Sequence, residues 1–294
     1  MKAAWRAHKA KYLMIAPFGI IFLAFTVLPV LLSAGISLTS FNMLEMPKFT
    51  GFRNYVNLFA NDSIFLIAIK NTLFFAVVTG PVSYIMCFVF AWLINGFSPK
   101  IRAFMTLVFY APSISGNAYL IWKLIFSSDA RGYANSLLSS LGLSNGAILW
   151  FETKAYVMPI LILVQLWLSL GVSFLSFIAG LQTVDKTLYE SGAIDGVKNR
   201  WQELWHITLP SMKPQLLFGA VMQITSSFSV STISTELAGF PSVEYAGHTI
   251  LTHLQDYGVT RMEMGYASAI AVTLFFMMVI TNLAVQKALR KVGE

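Results

Sequence analysis

Six stretches of the chain run for about 20 residues or more without a formal charge: 12–36, 71–94, 103–122, 155–182, 214–235 and 264–286. Each is long enough for a helix to cross the hydrocarbon core of a bilayer. Soluble domains carry roughly 25% charged residues; this chain carries 11%, with 56% hydrophobic residues. A single soluble core cannot absorb that much apolar surface, so lipid is the solvent the pattern requires. The expectation is an all-α integral membrane protein, one domain over 1–294 with six transmembrane helices. Pro17, Pro29, Pro81, Pro112 and Pro159 fall inside the stretches and predict kinks, because neighbouring helices can satisfy a freed backbone group.

The net charge of +7 is informative through its distribution. With the N-terminus placed inside, 13 of the 20 basic residues are cytoplasmic: Lys2, Arg6, Lys9, Lys11, Lys100, Arg102, Lys186, Lys198, Arg200, Lys213, Lys287, Arg290 and Lys291. Eight of the 13 acids fall outside. The positive-inside rule therefore puts both termini, and the polar loop 187–210, in the cytoplasm. The basic start Met1–Lys11 before an apolar run also fits a cleavable signal peptide, but the run is too long for such a core, and a retained first span is expected. The one cysteine, Cys87, lies in an apolar stretch, which excludes a disulfide within the chain and a thiolate metal site.

Chemistry-bearing motifs are missing. There is no phosphate-binding Walker loop, nucleophile elbow, H-E-x-x-H or C-x-x-C. No catalytic residue, metal ligand or bound cofactor is expected. A chain of this kind that moves a polar solute must borrow energy, from a docked ATPase or from an ion gradient. The spans contain no Asp or Glu, which weighs against a proton relay.

The loop TLYESGAIDGVKNRWQELWHITLP, Thr187 to Pro210, is the longest polar, helix-capable segment. Thr187 with Glu190 reads as a capping box that opens one short helix. Gly196 stands where that helix needs a left-handed turn to stop. Asn199 with Gln202 repeats the cap, Trp201, Leu204 and Trp205 give the second helix an apolar face, and Pro210 is expected to end it. Two small helices bent around a glycine form a knob between spans. The bland alternative is a solvated amphipathic connector.

At these residues the chain resembles the permease subunits of binding-protein-dependent ABC importers, whose loop reads Glu-Ala-Ala, three residues, Gly, nine residues, Ile-x-Leu-Pro. Glu190, Gly196, Ile207, Leu209 and Pro210 occupy matching places. Ser191 and Gly192 replace the alanines, and ten residues rather than nine separate Gly196 from Ile207. The outer segment FTGFRNYVNLF and the Asn71-Thr72 pair resemble the carbohydrate-uptake (maltose-type) branch. The resemblance implies a type I ABC importer permease with a cytoplasmic helix-turn-helix coupling loop. Leu188, Tyr189 and Val197 would offer an apolar face to the ATPase, with Ala193 and Asp195 in the same coupling segment. It also implies a second permease subunit, two ATPase subunits that use ATP and Mg, and an extracytoplasmic solute-binding protein, in a bacterial or archaeal cytoplasmic membrane.

A solute path needs polar lining. The fifth stretch is dense in it, with Gln223, Ser226, Ser227 and Ser231 the best candidates. Asn117 and Tyr119 in the third and Gln165 and Ser169 in the fourth are weaker ones. The competing role is helix-to-helix bonding. Such a lining suits a sugar or oligosaccharide; His248, His253 and Arg261 in the last outer loop would favour an acidic one. Phe52, Tyr55 and Phe59 fit an interfacial aromatic belt. An ion-coupled secondary transporter, a permease for a non-sugar solute and a membrane scaffold are the alternatives.

Overall fold

The computed structural model describes residues 2–144 and 146–290, with side chains for 11–144 and 146–289. Met1, Lys291 and the side chains of Lys2, Arg6, Lys9 and Arg290 lie outside the described residues. The helices used below are α1 (Lys11–Ile36), α2 (Ser63–Asn95), α3 (Pro99–Ile114), α4 (Tyr119–Ile125), α5 (Lys154–Leu168) and α6 (Val172–Thr183). They continue as α7 (Lys186–Ile194), α8 (200–211), α9 (Lys213–Phe228), α10 (Thr232–Ala238) and α11 (Met264–Arg290).

Among the described residues, four helical runs are long and apolar enough to cross a membrane: α1, α2, α5 with α6, and α11. A fifth appears if α9 and α10, bent by 40°, count as one. The stretch 103–122 departs from expectation. It is divided between α3 and α4 at Ser115–Ala118, where Ser115 is extended and Ser-Gly-Asn replaces apolar residues. Pro29 lacks an N–H, and α1 widens just before it into a π-turn over Leu23–Val27.

The chain forms two compact units. The first holds residues up to Ser63 together with His253–Phe275. None of the apolar window of α1 is buried, as expected of a lipid-facing span. A two-stranded antiparallel hairpin pairs Thr39 with Phe49. Asn54 pins it, donating to the carbonyls of Ser37 (2.8 Å) and Thr39 (2.9 Å), while the Tyr55 hydroxyl meets Ser37 Oγ at 2.8 Å. The half-buried Tyr55 thus acts as a brace while its ring still meets the exposed Phe52 at 6.0 Å; Phe59 is also exposed. Gly265 brings the start of α11 against the backbone of Thr39, so close that no Cβ fits.

The second unit holds Ile64–Thr252 with Phe276–Glu294. Among the described residues it includes two apolar core clusters. One gathers Phe75, Tyr119, Ile160, Val164, Val230 and Leu237; the other gathers Cys87, Ala91, Leu170, Phe174, Phe177 and Met212. Helix α2 contributes to both. Two apolar stretches here are interrupted mid-run, and side chains satisfy the freed carbonyls, as lipid demands. Ser169 O accepts from Gln223 Nε2 (3.2 Å) and the Cys87 thiol (3.4 Å) at the α5–α6 break, and Val230 O accepts from Thr249 Oγ1 (2.7 Å) at the α9–α10 break. Asn71 donates to the carbonyls of Tyr245 and His248, both at 2.9 Å, and Thr72 Oγ1 accepts the Ile250 N–H. A short helix stands at Tyr133–Ser140, where Asn135 is buried among loop carbonyls.

Candidate functional site

The segment after α6 folds as two short helices around a glycine. The first cap differs from the expected one: Asp185, not Thr187, caps α7 by accepting the Thr187 N–H at 3.0 Å. Those bonds from Thr187, the backbone one foremost, hold the Asp185 carboxyl below its usual range. Asp185 wins because it stands one residue before the first helical residue, where a short acceptor reaches back to the free N–H groups. Gly196 has φ +95°, and the Val197 N–H closes the end of α7 on Gly192 O at 2.9 Å. Asn199 accepts from the Gln202 N–H (2.9 Å) while Gln202 Oε1 accepts from the Lys198 N–H (2.7 Å), a near-reciprocal cap.

Pro210 does not stop α8. A π-turn over Leu204–Thr208 precedes it, and the chain stays helical to Ser211. Proline is tolerated at the first turn that follows, where its missing N–H breaks no regular bond.

The knob has a sealed face and an open one. Tyr189 Oη lies 2.9 Å from Thr208 Oγ1, and a Cβ on Gly192 would stand 2.7 Å from Ile207 Cδ1. Gly192, in a place where the resembled loop has alanine, leaves room here for the end of the Ile207 side chain against α7. Tyr189, Val197, Ile207 and Leu209 are half-buried. Leu188, Glu190, Ala193, Asp195 and Pro210 are exposed, and Ile194 is 87% exposed. Ile194 was missed from sequence; its spacing of six from Leu188, through Ser191, was the signal available.

Most of the polar residues proposed to line a path are engaged inside the unit. Gln165 donates to Ser226 Oγ at 3.1 Å, Ser169 Oγ to Leu166 O at 2.7 Å, and Ser227 Oγ to Gln223 O at 2.7 Å. Gln165, Ser169, Gln223, Ser227 and Ser231 are all buried. The structure brings together Gln165 with Ser226 and Ser169 with Gln223. The buried Tyr119 donates to its near neighbour Asn117, which is itself exposed. Thr225, Ser229 and Thr232 remain exposed on α9 and α10. Gln223 and Ser227 also edge an apolar cavity of about 340 Å³ shared with Gly80, Tyr84, Phe228 and Thr281.

In the first unit, His253 and Arg261 each have an acidic partner. His253, 2% exposed, lies 3.0 Å from Asp62 Oδ2, which also accepts from the Tyr266 hydroxyl at 2.8 Å. Burial pushes the His253 pKa down, against the upward pull of Asp62. Arg261 is bound to Asp256 at 2.7 Å and lies over the Tyr257 ring. In the second unit His248 is buried. Among the described residues no group of three His, Cys, Asp or Glu side chains is placed to hold a metal ion.

No protein-family model matches the chain. The probable ABC transporter permease protein YesP of Bacillus subtilis (strain 168) is 32% identical over 278 residues, 93% of this chain and 87% of that one. The arabinooligosaccharides transport system permease protein AraP of the same organism is 31% identical over 279 residues, 93% of this chain and 86% of that one. The fold matches, at TM-score 0.78 and 24% identity over 99% of both chains, that of a bacterial ABC transporter involved in the import of the acidic polysaccharide alginate.

Proposed function

This chain belongs to the sugar-uptake permeases of the ABC transporter family, and on that premise we propose that it carries a sugar or oligosaccharide across the cytoplasmic membrane by alternating access. It crosses the membrane six times with both termini inside, the broken stretches 103–122 and 214–235 each counting as one span. It binds no nucleotide of its own. Two partner ATPase subunits use ATP and Mg, a second homologous permease completes the pathway, and an extracytoplasmic binding protein delivers the solute.

The observation that carries this reading is the knob 187–210. Its inner face is closed by Tyr189–Thr208 and Gly192–Ile207, so Leu188, Glu190, Ala193, Ile194 and Asp195 are left as a small amphipathic surface. A helix face of that shape fits a groove on a soluble partner. Alternating access needs two bundle states that the partner's nucleotide cycle favours differently, and a rigid two-helix unit wedged between spans is a means of selecting between them. The solute is held by the hydroxyls and amides still accessible on the unit, Asn117, Ser226, Thr225, Ser229 and Thr232 among them.

Copurification from detergent tests the reading. The intact chain is expected to bring down a stoichiometric ATPase, and Gly196→Pro is expected to lose it. Uptake by reconstituted vesicles should require ATP and survive an ionophore. An intact permease that brings down no ATPase rejects the proposal.

A further inference from the structure

The knob does not rest on the flanking helices alone. Its second helix lies on the inner end of α2, a span about a hundred residues earlier in the sequence. The Trp201 ring packs tilted against Trp92, with centroids 5.4 Å apart and planes at 45°. The Arg200 guanidinium reaches over Gly96, where a Cβ would stand 3.0 Å from Nη1. Between these contacts lies a small polar cavity of about 160 Å³, lined by Asn95, Tyr189, Arg200, Glu203 and Thr208 among others. A turn further along, Leu204, Leu209 and Pro210 border a second cavity of about 420 Å³ with Tyr84, Phe88 and Val89 of α2.

Helix α2 is also gripped by the two helices that carry the knob. Tyr84 donates to Leu216 O on α9 at 3.2 Å, and Phe177 on α6 meets Tyr84 and Phe88 edge-on at 5.5 and 5.7 Å. The inner half of α2 therefore touches the knob, its entry helix and its exit helix. At the knob itself the contacts include one ring pair and one guanidinium, with a cavity on either side of them.

The geometry points to Trp92, with Gly96, as a second seat for the knob: it delivers the movement of the 187–210 loop to α2 as well as to α9. This rests on the reading that an ATPase docks on the knob. Trp92 is a positioning residue, acting through Trp201 and touching no solute. Its loss weakens the link between nucleotide cycle and bundle while leaving the open face of α7, and hence ATPase docking, in place.

The test uses the complete transporter in vesicles. Trp92→Ala is expected to keep its ATPase subunits, to lower uptake about fivefold or more, the lower end of typical coupling between sites, and to raise ATP hydrolysed per solute carried. Trp92→Phe, which retains a ring, is expected to restore both. Wild-type uptake and stoichiometry in Trp92→Ala overturn the inference. Should Trp92→Ala fail to assemble, Trp92→Cys with Trp201→Cys decides, joined in a Cys87→Ser background by a short bis-methanethiosulfonate linker, each thiolate displacing methanesulfinate to leave a reducible disulfide. Coupling regained on linking and lost on reduction supports the second seat, and no difference overturns it. If the wild type itself brings down no ATPase, the functional proposal fails instead.

Discussion

Gln223 on α9 donates its side-chain amide to the backbone carbonyl of Ser169 at 3.2 Å and lies 3.1 Å from the Cys87 sulfur. The carbonyl lacks a regular helical partner because the helix between Lys154 and Thr183 breaks at Ser169–Gly171, where the Gly171 N–H turns back onto it at 2.8 Å. One glutamine thus ties α9 and α2 to the break.

Removing that amide cuts the tie to α9 but leaves the Ser169 carbonyl with the Gly171 N–H (2.8 Å) and the Cys87 thiol as donors. Gln223→Leu is therefore expected to destabilise the permease by only about 0.5–1.5 kcal/mol, the scale of hydrogen bonds between membrane helices. Thermal unfolding in detergent checks it. Ser229→Ala, at the exposed C-terminal end of the same helix, should leave the melting temperature unchanged.

The closest approach of α6 and α9 is set by Gly219, whose missing side chain is filled by the Phe177 ring. Ser173 Oγ donates to Gly219 O at 3.2 Å beside it. Gly219→Val should cost about 1–3 kcal/mol by overpacking. Phe177→Leu in the same chain should recover part of that loss, and a double-mutant cycle on detergent melting reads the coupling.

Acid should loosen the first unit through His253. Burial lowers its folded-state pKa below the unfolded value. The unfolded chain therefore binds more protons through that window, and stability rises with pH across it. The contribution is complete above about 6.5, the unperturbed histidine value, and is lost as pH falls towards the folded pKa. Melting temperatures measured down a pH series should fall more steeply for the wild type than for His253→Gln, with parallel curves counting against the prediction.

Membrane class and the bent knob were legible because charge is excluded from long stretches and because Gly196 and Asn199 have few other uses in such a segment. What stayed illegible depended on partners distant in sequence. Nothing local shows that Gln165 bonds Ser226 or that Gln223 reaches the carbonyl at a helix break; those partners are 61 and 54 residues away in the chain. The outer cations were read as available, yet Arg261 meets Asp256, five residues earlier, and His253 meets Asp62, 191 residues away. Pro210 was read as a stop because a π-turn leaves no composition signal.

Ile194 offers the sharpest test of the knob's open face. At 87% exposed it gives the isolated permease almost nothing, since an apolar side chain left in water gains no transfer free energy. Buried at the centre of an interface, a large aliphatic side chain is an anchor whose replacement by a charge leaves that charge unpaired. Ile194→Arg should therefore keep the wild-type melting temperature in detergent while ATPase copurification and ATP-driven uptake fall at least tenfold, a loss of about 1.4 kcal/mol or more in docking. Lys198→Ala, on the turn beside it, should change neither. Unaltered copurification of Ile194→Arg would place the docking surface elsewhere on the chain.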